Sequence, residues 1–452
     1  IGVMDTLKPI GKVRLGPPRE LCLKSQGITI KIQEVVPKPV EKKEQEMEAE
    51  IEVKPEEVSS LPECLLDEKC RKSGGLGGIG AEGLICILVD KSRGFHEFIK
   101  LLCAKVWRIK CKGLPSIYHG NYSKELSYLG LEKDIIELSE ISRLINDLTR
   151  DFSKAKVKVE EVKKGFENMV KSMSIESRLR FLLLPVEEKS FEKAYNILTD
   201  PWLEIERYLG HAKLLAYKLG RVDEDFLGRL LRSAFGFVEV GLHTSEIGHY
   251  SLELEREFYN KLEDSIRWVK DNVSVRHRPK PGNEHGQQEE SWLHWALKHL
   301  TYQHLICNEK IKEYEIKSEE KVPLVKGKIA DVYVESVPPI AIEIETMYGT
   351  GDPIEAKIRP FTTLPYLEQD HQYRGELWLV IPNLHALIYA KELVKFRRDC
   401  RKEGLKLEVY VADVTGLGAK RIYNEERSPG LIRFVDVLKF IKKECYDLYC
   451  IR

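Results

Sequence analysis

Between Gly327 and Thr346 the sequence reads as two short strands joined by a tight turn, with the acids of both strands on one side. Successive side chains of a strand point to opposite faces. Ala330, Val332 and Val334 therefore share one face, and Ile329, Asp331 and Tyr333 the other. After the turn at Val337-Pro338-Pro339, Ile340, Ile342 and Ile344 take one face and Glu343 and Glu345 the opposite one. Adjacent antiparallel strands of this kind bring three carboxylates onto one surface. Left alone, three such charges repel one another and call for protonation or a bound cation. A hard divalent ion with oxygen ligands meets that need, Mg²⁺ or its substitute Mn²⁺. Such an ion binds a scissile phosphate and activates water. A solvated strand face carries the same alternation, so the flanking elements have to decide.

Those elements come in a definite order. Glu289 to Ile306 has helical spacing, with Leu293, Ala296, Leu297 and Leu300 on one side and Glu290 one turn before Leu293 and His294. Glu313 to Lys317 is a short strand. Asp352-Pro353-Ile354-Glu355 is a strong helix start, with an N-cap, a first-turn proline and an acid at the third position. That helix carries Lys357 and Arg359. Glu376 to Ile381 is apolar enough for a buried central strand, Leu384 to Glu403 is a helix closed by Gly404, and Leu405 to Val414 is a last strand. The predicted order is helix, three strands, helix, strand, helix, strand.

This order, with Asp331 on one strand and Glu343 on the next, resembles the PD-(D/E)xK nuclease superfamily of restriction enzymes and junction resolvases. The resemblance covers roughly the last third of the chain and implies a restriction-endonuclease-like αβββαβαβ core over residues 286–452. It implies that Asp331, Glu343 and the carbonyl of Ile344 ligate Mg²⁺ or Mn²⁺, with Glu290 completing the site. It also implies metal-dependent endonuclease action on DNA, with Lys328, Lys357 and Arg359 against the phosphates, and it is compatible with a homodimer. One position departs from the pattern. Where the family has lysine, this chain has Glu345, and a carboxylate cannot supply an ammonium's charge. Glu345 is then a metal-associated acid and Lys357 the phosphate-facing cation. If neither holds, the domain is a catalytically inactive DNA-binding module.

Upstream, Leu84 to Val89 is an apolar strand ending in Asp90, Gly94 to Ile109 a helix, Pro115 to His119 and Asp134 to Leu138 further strands. Strand, helix, strand predicts a parallel α/β layer over 84–138. It weakly resembles the second half of a RecA-like DNA-pumping ATPase, in which an apolar strand ends in Asp-Glu. Here Lys91 follows Asp90, and the glycines from Gly74 to Gly83 precede the strand instead of following it, so they read as a flexible loop. The resemblance implies at most an accessory to a truncated motor, or association with a separate ATPase. Residues 139–275 read as a helical bundle or connector, including a helix from Trp202 to Leu219 with Asp200 and Pro201 at its start, 33–83 as a charged and glycine-rich linker, and 1–32 as a short β-prone segment. The expected fold class is therefore multidomain α/β: an N-terminal α/β layer, a helical middle and a C-terminal nuclease-like core.

Lys plus Arg and Asp plus Glu both number 72, so net charge names no partner and any nucleic-acid surface has to come from local clustering of bases. No apolar run is long enough for a membrane span and no secretory signal opens the chain, which predicts a cytoplasmic protein. The chain begins at Ile1, which leaves room for a phosphate loop upstream. The ten cysteines lack zinc spacing and read as free thiols. His294, His299 and His304 are five residues apart, about 140° around a helix each time, and so do not share a face for zinc.

Overall fold

The computed structural model describes residues 58–120, 133–150, 178–241, 246–276, 291–348, 358–361 and 375–449, except for a few positions within them. Residues 53–452 form one compact unit; Ile1–Glu52, and with it the sequence reading of 1–32, lies outside the described residues.

Five strands make the first sheet: β1 (Gly83–Asp90), β2 (Ile117–Gly120), β3 (Ile135–Leu138), β4 (Leu179–Val186) and β5 (Ala212–Tyr217). All are parallel, in the order β2-β3-β4-β1-β5. β1 and β4 are mostly apolar, apart from Asp90 and Arg180, because both faces are covered: all eight residues of β4 are buried, and all of β1 after Gly83. The helices are α1 (Phe95–Lys110), α2 (Ser139–Arg150), α3 (Phe191–Leu209), α4 (Glu224–Ala234) and α5 (Ile247–Asn272).

The reading of 139–275 as wholly helical is corrected here. β4 and β5 lie inside it and belong to the same sheet as β1, so the α/β layer runs from Gly83 to Tyr217. The helix expected over 202–219 ends at Leu209, because Gly210 adopts the left-handed conformation (φ 64°) and closes it. Pro201 sits inside α3, not at its start.

The second sheet is mixed. Its strands are β6 (Ile316–Lys321), β7 (Ile329–Val334), β8 (Ile340–Ile344), β9 (Glu376–Val380), β10 (Lys406–Asp413) and β11 (Gly430–Arg433), in the order β11-β10-β9-β8-β7-β6. β6, β7 and β8 form an antiparallel meander; β8, β9 and β10 are parallel; β11 closes the edge antiparallel. α6 (Trp292–Cys307) precedes the meander, and Ser291 caps it by accepting the amide of His294. After β9 come α7 (Asn383–Ile388) and α8 (Ala390–Lys402), then α9 (Leu417–Tyr423) after β10 and α10 (Phe434–Tyr449) after β11. The single helix expected over 384–403 is thus two, broken at Tyr389.

The protein is therefore mixed α/β, with one parallel and one mixed sheet. The Asn383 amide ties the two halves, donating to Ser233 O (3.1 Å) at the end of α4 and to Ala412 O (2.9 Å) on β10. No helix of the described residues is long and apolar enough to cross a membrane.

Candidate functional site

The pairing of β7 with β8 sets the acids side by side. Val332 faces Ile342, so the next position of the register puts Asp331 opposite Glu343. The Asp331 carboxylate reaches across to β8 and accepts the Ile344 amide at 2.8 Å. Both acids are buried, at 6% and 2% exposure. Two cationic or cationisable groups meet them. Lys328, just before β7, places its ammonium 3.3 Å from Glu343 Oε2 and lies over the Phe361 ring. His294, in the first turn of α6, has Nε2 3.4 Å from Asp331 Oδ2. Burying two carboxylates together is costly unless charge of the opposite sign comes with them; the Lys328 ammonium brings it, and His294 adds to it only when protonated.

Glu345 has a partner of its own. Its backbone amide extends the strand pairing to Val380 O (2.9 Å), while its carboxylate folds back to accept the Met347 amide at 2.6 Å. Met347 has a positive φ of 61°, a conformation that non-glycine residues rarely adopt. Glu345 therefore braces the turn leaving β8. Arg359 is exposed on a helical turn at residues 358–361; Glu290 and Lys357 lie outside the described residues.

A metal has to be tested against this donor set. Among the described residues no group of three or more His, Cys, Asp or Glu side chains gathers as a metal cage. A closed transition-metal site of the zinc kind takes three or four such side chains. Mg²⁺ asks for less, since it keeps several waters and is held by one or two carboxylates together with substrate phosphate. Asp331 and Glu343 fit that requirement in number, type and adjacency.

Beyond β8 the turn leads into a cluster that sequence reasoning missed. Tyr348 lies under the Arg108 guanidinium of α1 (4.2 Å to the ring centroid) and edge-on to His385 of α7 (5.2 Å between rings). Lys105 of α1 pairs with Glu255 of α5 beside them. Lys105, Glu255, Tyr348 and His385 line a cavity of about 30 Å³, enough to admit water. His385 is fully buried, and its Nδ1 has no hydrogen-bond partner among the described residues. Burial, with the positive charges of Lys105 and Arg108 behind it, pushes the imidazole down to about 3.

The parallel sheet offers a second place to look. The chain leaves β1 toward β2 on one side and leaves β4 toward β5 on the other, so the carboxyl ends of β1 and β4 form a topological switch point, where α/β sheets bind ligands. Acids fill it. Asp90 accepts the amides of Ser92 (2.8 Å) and Leu219, and burial pushes its carboxyl above the ordinary range. Ser92 donates to Glu188 (3.4 Å). At the start of α1, a Cβ on Gly94 would lie 2.9 Å from a carboxylate oxygen of Glu246. Carboxylates around a helix N-terminus occupy the position that a phosphate would take, so this crevice suits no nucleotide phosphate.

Most of the described cysteines are buried. Set against known proteins, the chain matches no protein-family model and no curated protein.

Proposed function

We propose that residues 286–452 form a restriction-endonuclease-like domain that hydrolyses phosphodiester bonds in DNA with Mg²⁺ or Mn²⁺. The observation that carries this reading is the facing pair Asp331 and Glu343, buried on adjacent strands with the Lys328 ammonium at Glu343. The order of α6, the β6–β8 meander and the parallel strands β9 and β10 with α7 and α8 between them supports it. Asp331 and Glu343 would hold the ion, with the Ile344 carbonyl and Glu290 as further donors. Such an ion supplies an activated water and offsets negative charge developing on the phosphate.

The chain's own groups then take distinct parts. Lys328 is the cation nearest the acids and substitutes for the ammonium that Glu345 cannot provide. His294 orients the Asp331 carboxylate and balances its charge when protonated. Glu345 holds the exit turn. Arg359, exposed on its helical turn, would meet DNA phosphate.

The test is cleavage of linear, single-stranded and branched DNA by the full chain with Mg²⁺ or Mn²⁺. Turnover that Asp331→Asn abolishes supports the reading; an Asp331→Asn protein that cuts as fast as the parent overturns it. A second reading, a nuclease fold that binds DNA without cutting, draws on the Lys328–Glu343 ion pair and on Glu345 being engaged with the Met347 amide. Metal-independent DNA affinity without turnover would establish it.

A further inference from the structure

The chain as a whole is neutral, yet residues 390–406 carry seven basic side chains against three acidic ones. α8 sorts them. Leu393, Val394, Arg397 and Cys400 face the core, where Arg397 and Arg401 are bonded to the buried Glu408. Lys406 lies beyond the helix on β10 and pairs with Glu376; the helix's remaining bases, Lys391, Lys395, Arg398 and Lys402, follow at intervals of four, three and four residues. At 3.6 residues per turn that spacing confines them to an arc of about 60°. The three lysines are exposed and Arg398 is half-buried. The helix's acids, Glu392, Asp399 and Glu403, fall on the adjoining arc, which begins about 40° from Lys395 by the same count. Asp399 reaches the end of the row, 3.6 Å from Lys402 and 3.9 Å from Arg398. Lys391 and Lys395 have no ion-pair partner among the described residues.

We propose that this row is a docking face for the phosphate backbone of duplex DNA. Charge complementarity commits the face to a linear polyanion: Lys391 to Lys402 spans about 16 Å at 1.5 Å per residue. One strand of a B-form duplex passes roughly five phosphates in that length. Stability of the fold asks nothing of these lysines, since the same helix already buries its apolar face. The proposal rests on the hydrolase reading only for the choice of DNA as the polyanion. It gives that reading a substrate surface distinct from Lys328, Lys357 and Arg359.

The experiment measures anisotropy of a short fluorescent DNA duplex bound by the full chain in EDTA, across a salt series. The parent is compared with Lys391→Gln/Lys395→Gln/Lys402→Gln and with a control of equal charge change, Lys189→Gln/Lys213→Gln/Lys261→Gln. Each lost phosphate contact lowers the slope of log affinity against log salt by about 0.9, so the stripe variant's slope falls by about 2.7. Between about 50 and 200 mM salt the parent then weakens roughly 40-fold more than the stripe variant. The control keeps the parent's slope. An unchanged slope in the stripe variant, an equal fall in the control, or a parent that does not bind duplex overturns the proposal. So does a stripe variant that loses only binding to vesicles containing phosphatidylserine. A parent that binds with the expected slope yet never cuts refutes the hydrolase reading alone. A parent that cuts while the stripe variant keeps its slope refutes the docking face alone.

Discussion

Acidification should loosen the protein through His385, and the size of the effect follows from its surroundings. The imidazole is fully buried; burial first, then Lys105 and Arg108, hold it near 3 against 6.5 for an exposed histidine, with only a backbone hydrogen bond at Thr346 opposing them. A histidine whose pKa is lowered in the folded state contributes stability that is complete above its unfolded pKa and is lost as pH falls toward the folded value. The window is therefore pH 6.5 down to about 3. By linkage at 1.36 kcal/mol per unit, about 2 kcal/mol is lost between pH 7 and pH 5, and about 3 kcal/mol by pH 4. The assay is urea unfolding of the parent and of His385→Gln at each pH. Carboxylates common to both proteins cancel in the difference. The parent should lose about 2 kcal/mol more than the variant between pH 7 and 5. Curves that stay parallel would show that His385 is hydrated or already paired, and the cavity account would be wrong.

Further outcomes are expected elsewhere. Glu345→Gln keeps an acceptor for the Met347 amide and should leave stability and any cleavage close to the parent's, whereas Glu345→Ala strands that amide and should cost about 1–3 kcal/mol in urea melts. A Gln variant as damaged as the Ala variant would instead give the Glu345 charge a direct role. Glu408→Gln leaves Arg397 and Arg401 facing a neutral amide in the core; a loss of about 3–5 kcal/mol is expected, and a loss below about 1 kcal/mol would mean that water reaches the site. Fluorescent ATP analogues should show no saturable binding, because Asp90, Glu188 and Glu246 ring the switch point of the parallel sheet. Saturable binding that Asp90→Asn altered would revive a nucleotide site there.

Most of the mixed sheet was readable in advance, β7 and β8 by alternation, β9 by its apolar run and α6 by its stripe, but the edge strand β11 lies beyond the last strand expected. The adjacency of Asp331 and Glu343 followed from that alternation and one turn. β4 was hidden for a physical reason. Phe181 to Leu184 is an apolar run without alternation, and periodicity cannot tell such a strand from a buried helix. β5 was lost by reading a helix through Gly210, although a glycine closing a helix is a local stop signal. The roles of Lys328 and His294 were beyond reach for another reason. Each meets its acid only through tertiary packing, and the histidine spacing along α6 bears on zinc, not on a first-turn contact with β7. The basic row of α8 was open to view in the sequence, but which side faces water is decided by how the helix sits on β10.

The central claim is that Asp331 and Glu343 together hold a divalent ion. Electron paramagnetic resonance of Mn²⁺ titrated into the full chain tests it without any need for turnover. Saturable binding is predicted for the parent, weakened at least tenfold by Asp331→Asn and by Glu343→Gln alike. Binding that neither substitution disturbs, or none in the parent, would contradict it.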